Sequence, residues 1–101
     1  MSKLALYVPL KAKAGKEQAV ADFLRSALPL VEAEPGTRTW YAIEESPGSF
    51  AIFDTFDDEA ARDAHLQGKV AAALMQAAKA GELFAQAPEI FKLRIIADKR
   101  R

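Results

Sequence analysis

His65 is the single histidine of the chain, and so the one side chain whose ordinary pKa lies near neutrality. Two roles are open to it. It lines a pocket, where it accepts a proton from a bound molecule or hydrogen-bonds one of its oxygens, or it ties its short helix to the neighbouring hairpin. Asp54 breaks an otherwise apolar strand on the face that carries Ile52 and Phe56, where a carboxylate cannot be both buried and unpaired. Lys92 or Arg94 on the last strand, or Arg38 in the hairpin, are its candidate partners in an inter-strand or inter-subunit ion pair. The alternative is a pocket carboxylate with a raised pKa. Trp40 offers a flat wall and an indole N–H to a ligand, or else belongs to the core or an interface, and Phe56 is a second candidate wall. Met75, Phe84 and Phe91 line the same pocket or belong to the core.

Other chemistries are absent from the sequence. There is no cysteine, which removes disulfides, thiolate metal sites and cysteine nucleophiles together. Paired-histidine metal spacing, a Ser-His-Asp set and a glycine-rich phosphate loop are likewise missing. Fourteen basic residues balance fourteen acidic ones, so no basic field draws nucleic acid or an anionic membrane, although Lys99-Arg100-Arg101 is locally basic. No apolar run reaches membrane-spanning length, and Leu4–Leu10 is too short for a signal peptide. A cytoplasmic setting is the expectation.

The elements that position these residues follow from the pattern. The 101 residues are enough for one domain, 1–101, with half of them apolar. Lys3–Pro9 reads as a strand, ended by a proline that has no N–H to donate. Ala19, Val20, Phe23, Leu24, Ala27, Leu28 and Val31 form one helical stripe over Lys16–Glu34, with Pro29 inside it as a site for a kink or a looser last turn. Pro35-Gly36 stops that helix. Thr37–Glu45 and Ser49–Phe56, joined by Ser46-Pro47-Gly48, form a β-hairpin. Asp57 is placed to cap a short helix, Glu59–Leu66, and Lys69–Ala80 is a second helical segment ended by Gly81. The apolar pair Leu83-Phe84 folds back as a lid or plug, and Pro88–Ala97 is the last strand.

The order β-α-β-β-α-β predicts an α+β, ferredoxin-like protomer: a four-stranded antiparallel sheet with its helices on one face. Every strand nevertheless carries apolar residues on both parities. Each large side chain left in water forgoes about 1.5–3 kcal/mol, so the second face needs a cover. A second copy, sheet on sheet in a two-fold dimer, is the simplest one.

Several stretches together resemble the antibiotic biosynthesis monooxygenase (ABM) family: Glu34-Pro35-Gly36-Thr37, Trp40, Phe50–Phe56 followed by Asp57, and Ala61-Arg62-Asp63-Ala64-His65-Leu66. The resemblance runs from about Leu4 to Ala97. It implies a dimeric α+β barrel with a pocket between sheet and helices, and oxidation of a phenol or quinol by O₂ without metal, flavin or other cofactor. His65 would then be the base, Trp40 and Phe56 the walls, and Asp54 an orienting group. The heme-degrading branch relies on an Asn, a Trp and a His at positions that correspond here to Val8, His65 and Met75, so heme degradation does not carry over. The competing expectations are a non-catalytic dimeric module that binds a small apolar metabolite, and an assembly domain without a pocket.

Overall fold

The computed structural model describes residues 2–100 of the chain. Strand β1 (Leu4–Lys11) leads into helix α1 (Glu17–Glu32), hairpin strands β2 (Thr37–Ser46) and β3 (Ser49–Phe56), helices α2 (Glu59–Leu66) and α3 (Lys69–Ala80), and strand β4 (Phe91–Arg94). All neighbouring strands pair antiparallel in the order β2-β3-β1-β4. This is the ferredoxin-like arrangement.

One face of the sheet carries the core. Val8 and Leu10 of β1, with Phe50 and Ile52 of β3, pack on Val20 and Leu24 of α1 and Leu74 of α3. Phe84 completes that cluster, edge-on to Phe23 with ring centroids 6.3 Å apart. The Leu83-Phe84 segment is therefore a plug. Its backbone also runs beside the end of β1, through Lys13 N–H to Leu83 O and Ala85 N–H to Lys11 O, both 2.8 Å.

That pairing explains why Pro9 does not end β1. Strand β4 pairs only with Leu4–Tyr7, while β3 pairs as far as Lys11. Pro9 thus stands where β4 has no residue opposite it, and its missing N–H costs the β4 ladder nothing. Strand β4 itself is four residues long, shorter than the apolar run Pro88–Ala97 that predicts it. Helix α1 continues through Pro29 to Glu32, since the proline withdraws one donor and the residues after it are still packed through Val31. The cap of α2 is Asp58, not Asp57: its carboxylate accepts from Ala61 N–H at 2.9 Å. Asp57 pairs instead with Arg38 at 2.7 Å, which holds the Asp57 pKa below the ordinary carboxylate range.

The opposite face of the sheet has no helix. Tyr7, Tyr41, Phe53, Phe91 and Leu93 alternate onto it, with Tyr41 54%, Phe91 42% and Leu93 39% exposed. The Tyr7 and Phe91 rings lie 6.3 Å apart there, and Tyr7 Oη donates to Glu45 at 2.6 Å. No helix of the described residues is long and apolar enough to cross a membrane.

Candidate functional site

The site begins with a bulge. Thr37 stands opposite Phe56 and Thr39 opposite Thr55, so Arg38 is an extra residue in β2. A bulge shifts the alternation of a strand by one. Thr37 and Trp40, three apart, therefore both face the helices. Trp40 stands opposite Asp54 in the ladder, and Asp54 opposite Leu6 of β1.

His65 approaches this face from α2. Its Nδ1 lies 2.6 Å from Glu34 Oε1, just beyond the end of α1, and its Nε2 lies 3.0 Å from Asp54 Oδ2. Thr37 Oγ1 donates to the same Glu34 oxygen at 2.7 Å. The His65 ring tilts over Phe56 with centroids 5.3 Å apart. Close approach on the far side comes from Gly68, where a Cβ would stand 2.9 Å from Glu34 Oε2. Three segments that are distant in sequence are tied together through one imidazole.

Both His65 and Asp54 are buried, at 6% and 1% exposure. Burial is the largest influence on each. It raises the Asp54 pKa, with His65 opposing, because a buried carboxylate resists ionisation. For His65 burial pulls the pKa down, but the contacts with Asp54 and Glu34 outweigh it and the net shift is upward from 6.5. The array thus favours the protonated ring, with a carboxylate at each nitrogen. The Asp54 contact is at ion-pair distance without hydrogen-bond alignment, and Oδ1 meets no donor. Three positions along the same helix face, Arg62 donates to the carbonyls of Ala5 (3.4 Å) and Leu93 (3.2 Å), pinning α2 to β1 and β4.

A cleft of about 500 Å³ opens beside this array, between α1 and the edge strand β2. Its floor is Ala21, Leu24, Trp40, Ala42 and Phe50, and its rim carries Glu17, Arg25 and Glu44. That volume suits a small ring system. Of the four residues picked out for a site, Trp40 alone lines the cleft. Asp54, His65 and Phe56 lie together beneath the sheet's helix face, with Asp54 and Trp40 as cross-strand neighbours. The Asp54 partner is His65, and none of Arg38, Lys92 or Arg94 fills that place. Phe84 is core, whereas Met75 is exposed and Phe91 lies on the helix-free face.

Glu34 and Thr37 were not among the expected site residues, although both belong to the Glu34-Pro35-Gly36-Thr37 run. The available signal was a carboxylate directly ahead of a helix-stopping Pro-Gly, where the chain turns back into the sheet. Among the described residues no group of three or more His, Asp or Glu side chains has the geometry to hold a metal ion.

The fold and the cleft define a ferredoxin-like α+β protein with an open cleft between helix α1 and the edge strand β2. The profile of the antibiotic biosynthesis monooxygenase family matches residues 4–80, and the chain belongs to that family. A solved structure of a protein of unknown function from Nitrosomonas europaea is 51% identical, with a TM-score of 0.92 over 100% of this chain and 96% of that one. A Mycobacterium tuberculosis structure aligns with TM-score 0.80 at 20% identity, over 98% of this chain and 100% of that one. A structure described as an antibiotic biosynthesis monooxygenase aligns with TM-score 0.77 at 18% identity, over 93% and 99%. At such identities the last two likenesses concern the fold alone. None of the curated proteins matches this chain.

Proposed function

We propose that the protein is a cofactor-independent monooxygenase that oxidises a small electron-rich aromatic, a phenol or quinol, with O₂. The observation that carries this reading is the Trp40-walled cleft on a chain of the monooxygenase family. The ionised substrate passes one electron to O₂. The resulting radicals combine into a peroxide anion, which takes back the proton lost on ionisation. Loss of water from that hydroperoxide leaves a quinone carbonyl, so one oxygen atom enters the product and the other leaves as water. The protein contributes orientation against Trp40 and a dry floor.

Within this proposal the part of His65 changes from the one its residue type implies. With a carboxylate on each nitrogen, the ring has no free lone pair to take the substrate's proton unless it parts from Asp54 or Glu34. His65 and Asp54 act instead as a charged brace under the strand that presents Trp40, and Phe56 supports the ring from below. Glu17 and Glu44 are the carboxylates that an arriving substrate meets directly. We further propose that the working unit is a homodimer closed through the helix-free sheet face.

Oxygen uptake with a panel of hydroquinones and anthrols tests the reaction. Uptake above the buffer rate is expected for at least one of them. Ala21→Trp, which fills the cleft, should lower it by about tenfold or more while the circular dichroism stays native. Uptake equal to buffer across the panel would remove the oxygenase. The occupied imidazole also favours a second reading, a dimeric module that binds a small apolar metabolite without converting it. That reading predicts ligand-dependent thermal stabilisation with no turnover.

A further inference from the structure

The cleft is electrically polarised along its length. Glu17 opens α1 beside the hairpin turn, with its Cγ 3.8 Å from where a Gly48 Cβ would stand. Glu44, paired with Phe50, marks the same end. Lys11 also lies at that turn, but its ammonium reaches Ser49 Oγ and it is not part of the cleft wall. At the other end Trp40 packs against Ala27 and Val31 of the second half of α1. Arg25 belongs to that end, eight residues beyond Glu17, or about 12 Å along the helix. A fused two-ring aromatic with one substituent spans most of that distance.

Arg25 is available to a ligand. Its ion partner is Asp22 at 3.2 Å, an i,i+3 pair whose side chains are 73% and 64% exposed. Asp22 also accepts from Gln18, and it is not part of the cleft wall. Such solvated pairs are weak and give way to a competing carboxylate. The guanidinium therefore offers its planar donors to an anionic oxygen on a ring lying over Leu24 and against Trp40. The carboxylates at the turn end oppose the reverse orientation.

We infer that the cleft selects aromatic molecules bearing an anionic oxygen, with Arg25 as the specificity-determining residue that orients the charged end toward Trp40. The inference rests on the cleft's being a binding site, and it holds whether or not the bound molecule is oxidised. Its test is a calorimetric titration with a matched pair of probes, 2-naphthoate and the neutral 2-naphthalenemethanol. The indole N–H resonance of Trp40, the single tryptophan, reports where they bind.

In low salt, 2-naphthoate is expected to bind about three- to fivefold more tightly than the alcohol, with the margin shrinking as salt is added. Arg25→Gln should abolish the margin and leave the alcohol's affinity unchanged. Glu44→Gln should tighten naphthoate alone. Equal affinities in the native protein, or a margin that survives Arg25→Gln, would overturn the assignment of Arg25 while leaving the cleft intact as a site. Failure of both probes to bind, or of naphthoate to move the Trp40 resonance, would overturn both.

Discussion

Replacing His65 by Gln is expected to destabilise the protein by about 3 kcal/mol, because it leaves the Glu34 and Asp54 carboxylates facing a neutral amide in a buried site. At about 4–8 °C per kcal/mol for a domain near this size, the melting temperature should fall by roughly 12–24 °C. The companion variant distinguishes a charge effect from a packing one. His65→Leu combined with Asp54→Leu removes both buried charges of the inner contact, and should recover stability to within about 1 kcal/mol of the native chain. The pH dependence has a definite sign. A histidine whose folded pKa is raised contributes stability that is complete below its unfolded value of 6.5 and is lost as pH rises through the folded value. The raised Asp54 pKa acts in the same direction, with its contribution lost as pH climbs above 3.8 through its folded value. Native and His65→Gln melting temperatures should therefore converge toward alkaline pH. An unchanged melting temperature in His65→Gln would show the ring to be idle.

The second large effect concerns the bare side of the sheet. Phe91→Glu places a charge beside Tyr7 and on the face of Leu93, at a residue that is 42% exposed in the single chain. The native protein is expected to sediment at twice 11.0 kDa at micromolar concentration. Phe91→Glu should sediment at 11.0 kDa, its dimer weakened by at least about 30-fold, as befits loss of a large aromatic anchor. The native melting temperature should also rise with protein concentration while that of the variant does not. A native chain that sediments as a monomer under these conditions would dispose of the two-fold barrel.

Much of the scaffold could be read from residue order. Pro35-Gly36, Pro47-Gly48 and Gly81 punctuate the chain where its elements change, and α2, α3 and β3 run between the residues that the pattern assigns. The departures share a cause: they depend on neighbours that are remote in sequence. Pro9 stays within β1 because β4 has already ended beside it. Asp57 is the cap that the pattern assigns, but it pairs with Arg38, and its neighbour Asp58 caps α2 instead. The bulge at Arg38 leaves no mark on a period-two pattern, so Thr37 would be assigned to the face of Thr39 and Tyr41. It turns instead toward Glu34 and His65.

The site was legible in its parts and not in its wiring. A lone histidine and an aspartate inside an apolar strand both announce that they need partners, and they prove to be each other's. Sequence spacing could not reveal that the second nitrogen of the ring is taken by Glu34, from the far end of α1. That contact, together with the one to Asp54, raises the ring's affinity for a proton and occupies the nitrogen a substrate would need.

Because the chain has one histidine, its ring nitrogens can be followed without ambiguity by NMR as pH is varied. With Glu34 and Asp54 at its two ends, the ring should carry a proton on both Nδ1 and Nε2 below its midpoint, and that midpoint should lie above 6.5. A midpoint at or below 6.5 would contradict the brace and return His65 to the role of base.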